Sequence, residues 1–171
     1  RDRFQNMLES IQQIVSGYRV AIRDLGVHGE GIGSVDGFTI FVPGALPGET
    51  VTAEITLLKK SYALGELLSI EWESPFRVVP KCPVYENCGG CQLSHLTYEG
   101  QLDMKYRRVK DVIERIAGES GDLVRPVLPA AHPFAYRNKM AVPAGLVKGK
   151  AALGCYRQGS HDIIPVSSCA I

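Results

Sequence analysis

Phe38-Thr-Ile-Phe-Val-Pro-Gly-Ala-Leu-Pro-Gly-Glu-Thr-Val-Thr-Ala-Glu-Ile-Thr-Leu57 decides how the first half of the sequence folds. Its opening run, Phe38 to Val42, is β-branched or aromatic, and Pro43-Gly44 and Pro47-Gly48 end it. Val51, Ala53, Ile55 and Leu57 then alternate with Thr52, Glu54 and Thr56, the period of a half-buried strand. Working outward, Tyr62 to Trp72 predicts a further strand, and Ser74-Pro75 and Pro80 mark the exit from it. Several short strands with Gly/Pro turns over residues 18–75 predict a small closed barrel. Upstream, Gly29-Glu30-Gly31-Ile32-Gly33 resembles a nucleotide-binding glycine loop, but such a loop works only when it opens a helix. Ser34 to Val42 are β-like, so the glycines read as turns between barrel strands and no cofactor site is assigned there.

Outside the barrel the periodicity changes. Phe4, Leu8, Ile11 and Val15, widened by Met7 and Ile14 and stopped by Gly17, predict an amphipathic helix over residues 1–17. Leu102, Tyr106, Val109, Ile113 and Ile116 predict one long helix over residues 97–117, capped by Gly118. From Leu123 onward, short apolar runs broken by Pro and Gly predict strands and hairpins.

The chain has 171 residues, 45% apolar and 22% charged, which fits one ordinary domain or two small ones and excludes wholesale disorder. Its uncharged stretches are too short for a membrane span, and no charged-then-apolar leader opens it, so a soluble cytoplasmic protein is expected. Residues 1–80 hold seven Lys/Arg against ten Asp/Glu, whereas residues 81–171 hold twelve against eight. Between Leu123 and His161 the six bases Arg125, Arg137, Lys139, Lys148, Lys150 and Arg157 occur with no acid. Opposite balances predict two modules, with polyanion affinity in the second.

Of the five cysteines, none precedes Cys82; Cys82, Cys88 and Cys91 come together, and Cys155 and Cys169 follow. An odd number without a leader argues against a secreted disulfide framework and for a metal site. In Cys82-Pro-Val-Tyr-Glu-Asn-Cys88-Gly-Gly-Cys91, two cysteines separated by two residues place both thiolates on one centre, with the third close by. Gly89 and Gly90 leave room for an inorganic core, and positive φ there would turn backbone amides toward sulfur. The fourth ligand is Cys155 or Cys169, and His95 reads as a packing or capping residue. Spacing leaves zinc and iron–sulfur equally open.

Cys82, Cys88-Gly-Gly-Cys91, Leu93, His95-Leu96, Tyr98, Gln101-Leu102 and Lys105 resemble the iron–sulfur signature of the bacterial RNA uracil-5-methyltransferases. The resemblance continues through Tyr136-Arg137-Asn138-Lys139, Tyr156-Arg157, Gly159-Ser160-His161 and Pro165-Val166 to Cys169. Asp24-Leu25-Gly26, Gly31-Ile32-Gly33, the stretch Phe41 to Glu49 and Lys59-Lys60 resemble that family's TRAM domain. The resemblance implies a mainly β chain with some α: an OB-like five-stranded β-barrel (TRAM) over residues 18–76, then a small α+β iron–sulfur and RNA-binding segment over residues 77–171. It implies a [4Fe-4S] cluster held by Cys82, Cys88, Cys91 and Cys169, which leaves Cys155 as a small apolar filler in a strand. It also implies that the S-adenosylmethionine site, the nucleophilic cysteine and the base lie in a Rossmann-like domain beyond Ile171. On that expectation this chain is part of a longer protein, inactive alone, with no catalytic residues of its own.

What the resemblance leaves to this portion is RNA recognition, with 23S ribosomal RNA the expected substrate, transfer RNA a second, and the methyltransferase domain a partner in cis. Lys59, Lys60 and Tyr62 fall where a barrel strand turns, and OB-like barrels hold single strands with cations and a stacking ring. Phe134, Arg137, Lys139, Lys148, Lys150 and Arg157 form the acid-free basic patch with interleaved aromatics. A monomer away from membranes is expected. Two rivals stand beside this reading. One is a stand-alone zinc or iron–sulfur RNA-binding module without catalysis. The other is a radical methylthiotransferase, disfavoured because there the barrel follows the catalytic core and the trio spacing is C-x3-C-x2-C.

Overall fold

Five strands close on themselves in the computed structural model, which describes residues 17–171; apart from Gly17, the helix expected over residues 1–17 lies outside the described residues. The chain divides after Pro75 into two compact units. The first holds β1 (Tyr18–Leu25), β2 (Gly31–Val35), β3 (Phe38–Val42), β4 (Thr50–Leu58) and β5 (Tyr62–Trp72). Their order around the barrel is β1-β2-β3-β5-β4, and β1 pairs with β4 to close it. All pairings are antiparallel except β3 with β5, where Thr39, Ile40 and Phe41 run alongside Tyr62, Ala63 and Leu64.

Local chemistry explains the turns. Asp36 and Gly37 both take positive φ, 50° and 81°, the tight two-residue connection that keeps Val35 opposite Phe38. A Cβ on Gly33 would overlap Val20 and lie 2.7 Å from the Ala21 carbonyl, so β1 and β2 approach only because that side chain is missing. Of the glycine stretch, Gly29 sits in the turn and Gly31 and Gly33 lie within β2. Register shifts in β1/β2 and β4/β5 supply the curvature that closure demands.

Alternate positions fill the interior: Val20 and Ile22, Ile40 and Val42, Val51 and Ala53, with Ala63 and Ala45. Each large side chain contributes roughly 1.5–3 kcal/mol by leaving water. Residues 43–49 seal one end. Leu46 is fully buried, and the Glu49 carboxylate, 1% exposed, accepts from the Leu46 N–H at 2.8 Å and the Ser74 N–H at 3.3 Å. Backbone bonds from Ile22 N to Glu49 O and from Gly48 N to Ile22 O, both 2.9 Å, tie this loop to β1.

The second unit carries α1 (Tyr98–Val112), which widens into a π-turn at Ile113–Ala117 and ends at Gly118 in the left-handed conformation. The Thr97 hydroxyl accepts from the Gly100 N–H at 3.1 Å and caps the start. Asp103 pairs with Arg107 at 2.8 Å. Leu102, Tyr106 and Ile113 are half-buried, while Val109 and Ile116 of the same stripe are exposed. A three-stranded antiparallel sheet follows, β6 (Ala144–Val147), β7 (Lys150–Tyr156) and β8 (Ile163–Pro165), with β7 central. Among the described residues no helix is long and apolar enough to cross a membrane.

Candidate metal centre: a cavity lined by five cysteines

The stretch after Cys82 winds into tight turns, with Tyr85 N bonded to Cys82 O at 3.2 Å and Cys88 N to Val84 O at 2.9 Å. This winding brings Cys88 back beside Cys82 across the five-residue spacer. Gly89 N then bonds Tyr156 O at 2.8 Å and docks the loop on the end of β7. Arg157 Nη1 donates to Asn87 Oδ1 at 2.7 Å and fixes the same junction from the other side. Behind the loop, the Tyr85 hydroxyl donates to the Gln92 carbonyl at 2.9 Å and meets His95 Nδ1 at 2.5 Å. Gln101, on α1, donates from Nε2 to the Leu93 and Leu96 carbonyls at 3.1 and 3.0 Å. The expected packing role of His95 agrees with its 4% exposure.

Cys82, Cys88, Cys91, Cys155 and Cys169 line one cavity of about 60 Å³, with Tyr85, Ser94, Phe134, Arg137 and Met140 among its other walls. No Asp, Glu or His lines it. Burial pushes the Cys91 thiol above its ordinary value; the Ser94 hydrogen bond opposes this, and nearby Cys169, Cys88 and Cys82 push it further up. Burial raises Cys155 as well, followed by a hydrogen bond with Cys88 and the proximity of Cys88, Cys169 and Cys91. Thiols held neutral in this way release their protons when a metal binds.

A [4Fe-4S] cluster is the group the sequence resemblance implies. Its fit rests on three observations. The donors are all soft sulfur, which selects iron–sulfur, zinc or copper(I) over hard cations. The volume exceeds the roughly 10–15 Å³ that one water needs, so it suits a group of several atoms. A Cβ on Gly90 would point between sulfurs, 3.4 Å from Cys88 Sγ and 3.5 Å from Cys155 Sγ, so the missing side chain leaves a cradle open. Among the described residues, no three His, Cys, Asp or Glu side chains form a group that could hold one metal ion. The thiols surround a space without closing on a point.

The structure therefore brings Cys82, Cys88, Cys91 and Cys169 to one cavity, and it adds Cys155. The expectation of Cys155 as apolar filler is corrected: its sulfur faces the cavity beside Cys88. The amide expected to turn toward sulfur is there, Gly90 N–H donating to Cys88 Sγ at 3.4 Å, although neither Gly89 nor Gly90 takes a positive φ. Gly89 is required for another reason: a Cβ there would press on Tyr156 O at 2.8 Å and Gln158 N at 3.0 Å.

Among the expected RNA contacts, Lys59 and Lys60 are exposed on the β4–β5 turn, while Tyr62 packs edge-on against Phe41 with ring centroids 5.6 Å apart. Lys139 is exposed, as are Lys148 in the β6–β7 turn and Lys150 at the start of β7. Phe134 lies under Lys81 (4.4 Å from Nζ to the ring centre) and lines the cavity with Arg137, while Arg157 holds Asn87. These three lie at or next to the cysteine site. Sequence reading missed Lys81, Tyr85 and Ser94; Tyr85, inside the spacer between Cys82 and Cys88, was the one with a positional signal.

Residues 12–68 match the TRAM domain. An uncharacterized RNA methyltransferase of Bacillus cereus is 49% identical over 152 residues, covering 89% of this chain and 33% of that protein. One from Clostridium tetani is 46% identical over 156 residues, covering 91% and 34%. The chain thus spans about a third of the length of the curated relatives it matches. Among solved structures, the Pyrococcus abyssi tRNA (uracil-54, C5)-methyltransferase in complex with S-adenosyl-L-homocysteine superposes with a TM-score of 0.60 at 27% identity, covering 89% of this chain and 32% of that one.

Proposed function

We propose that this chain is the RNA-holding, cluster-bearing part of an S-adenosylmethionine-dependent methyltransferase that makes 5-methyluridine in RNA, with 23S ribosomal RNA as substrate. The observation that carries this reading is the gathering of Cys82, Cys88, Cys91 and Cys169 around one cavity, in a chain nine-tenths of which aligns with proteins named RNA methyltransferases. The four thiols hold a [4Fe-4S] cluster, whose chemistry here is structural: it ties the loop after Cys82 to the segment after β8. The methyl donor and the reacting groups belong to a further domain in cis.

Each unit has its own task. The barrel presents Lys59 and Lys60 on an exposed turn beside Tyr62 and Phe41, cations next to rings, as suits a single strand. The second unit presents Lys139, Lys148 and Lys150 to phosphates. The nucleotides to be held are those flanking a uridine that is turned out of its stack for reaction.

Transfer RNA is the second reading, favoured by the likeness to an enzyme named for tRNA uracil-54. One set of measurements separates the possibilities. Purified without oxygen, the chain should carry iron and sulfide in equal amounts, about four of each, with visible charge-transfer absorption. It should bind 23S ribosomal RNA fragments more tightly than transfer RNA, and the double substitution Lys59→Ala/Lys60→Ala should lower the salt dependence of binding by about two phosphate contacts. Zinc without sulfide would replace the cluster reading with the zinc module, and preference for transfer RNA would reassign the substrate.

A further inference from the structure

A four-iron cluster takes four thiolates, and this cavity has five. The fifth is held firmly. Cys155 lies in the central strand β7, opposite Ile164 of β8, and the Gly89-to-Tyr156 backbone bond straps the Cys88–Cys91 loop to the neighbouring residue. Its sulfur and that of Cys88 flank the same opening at Gly90. Cys169 is held differently. It is exposed, lies beyond β8, and the residue after it is pinned by the Ala135 N–H to Ala170 carbonyl bond at 2.9 Å. Ala135 makes that bond from a left-handed backbone, φ 52°, a conformation that strains a non-glycine residue.

We propose that Cys155 is an alternative fourth ligand, exchanging with Cys169 while Cys82, Cys88 and Cys91 hold the other three irons. This rests on the cluster reading above and extends it. The exchange is redox-neutral: the incoming thiol gives up its proton to the departing thiolate, and one sulfur–iron bond forms as the other breaks. Its consequence is that the segment carrying Cys169 can leave the cavity without loss of the cluster.

The test uses the anaerobically loaded chain and the variants Cys155→Ala, Cys169→Ala, the double variant, and Cys88→Ala as reference for a lost ligand. Iron, sulfide and visible absorption should persist in both single variants and fall in the double variant to the level of Cys88→Ala. Loss confined to one single variant makes that thiol the sole fourth ligand and overturns the exchange, as does a double variant that keeps its cluster. A second readout needs no substitution. Iodoacetamide on loaded wild-type chain, followed by peptide mass mapping, should add one label per chain divided between Cys155 and Cys169, with Cys82, Cys88 and Cys91 protected. Label on only one of the two positions overturns the proposal. Wild-type chain without iron and sulfide overturns the cluster reading itself and this inference with it.

Discussion

The two units are stabilised by different means. Among the described residues, nine of the ten buried apolar side chains belong to the first unit, and only Leu96 belongs to the second. The barrel holds itself together by removing Val20, Val42, Leu46, Val51 and their neighbours from water. In the second unit Val109, Ile116, Leu128 and Leu153 stay exposed, and the residues that converge are cysteines. A unit with little apolar core needs another cross-link, and the cluster proposed above, held by thiols near both of its ends, would supply one.

The strongest way to break this contrast is to remove one thiol that the loop cannot replace. In Cys88→Ala the cluster should be lost, and amide exchange protection in β6–β8 and residues 82–97 should collapse, since structural metal sites supply on the order of 10 kcal/mol to small domains. Hydrogen exchange with mass spectrometry should find β1–β5 unchanged; a barrel that loosened equally would show that the units share one source of stability. The reciprocal variant, Leu46→Ala, should cost the barrel about 2–5 kcal/mol. Denaturant unfolding followed by circular dichroism and by amide exchange across β1–β5 reports that transition, while iron content stays at the wild-type level. A smaller effect is expected from Glu49→Gln, which gives a donor in place of one acceptor facing the Leu46 and Ser74 amides and should cost about 1–3 kcal/mol in the same assay.

The least perturbing change sits on the barrel's outer wall. The Arg19 guanidinium, 2.6 Å from the Glu71 carboxylate, with the Thr52 hydroxyl at 2.9 Å, holds that carboxyl below its ordinary range. A carboxyl lowered by folding adds stability above its unfolded value and loses it as pH falls through the folded one. NMR titration of Arg19→Gln should move the Glu71 midpoint back up, with no shift in barrel unfolding beyond that expected of a surface substitution.

The barrel was legible because its chemistry is local. The alternation from Val51 to Leu57 and the stops at Pro43-Gly44 and Pro47-Gly48 name the strands before any contact is known. The parallel pairing of β3 with β5 was not legible, because it joins residues more than twenty positions apart that no local pattern links. At the cysteine site the trio announced itself by spacing. Cys155 and Cys169 stood there only as alternatives for a fourth ligand, since a strand's period states that side chains alternate and is silent about what lies on each side. The placement of Phe134, Arg137 and Arg157 at or next to that site was hidden for the same reason. Basic and aromatic residues near one another read as a nucleic-acid surface, and only the fold shows Phe134 beneath Lys81 and Arg157 on Asn87.

The pairing of β1 with β4 closes the first unit's sheet, and closure shortens the row of unpaired amides and carbonyls that a strand edge would offer. What stays open to strand addition is the part of β5 beyond Leu64 and of β4 beyond Ala53, where each strand pairs on one side. In the second unit β6 and β8 border an open sheet, and there the backbone itself can take part in recognition.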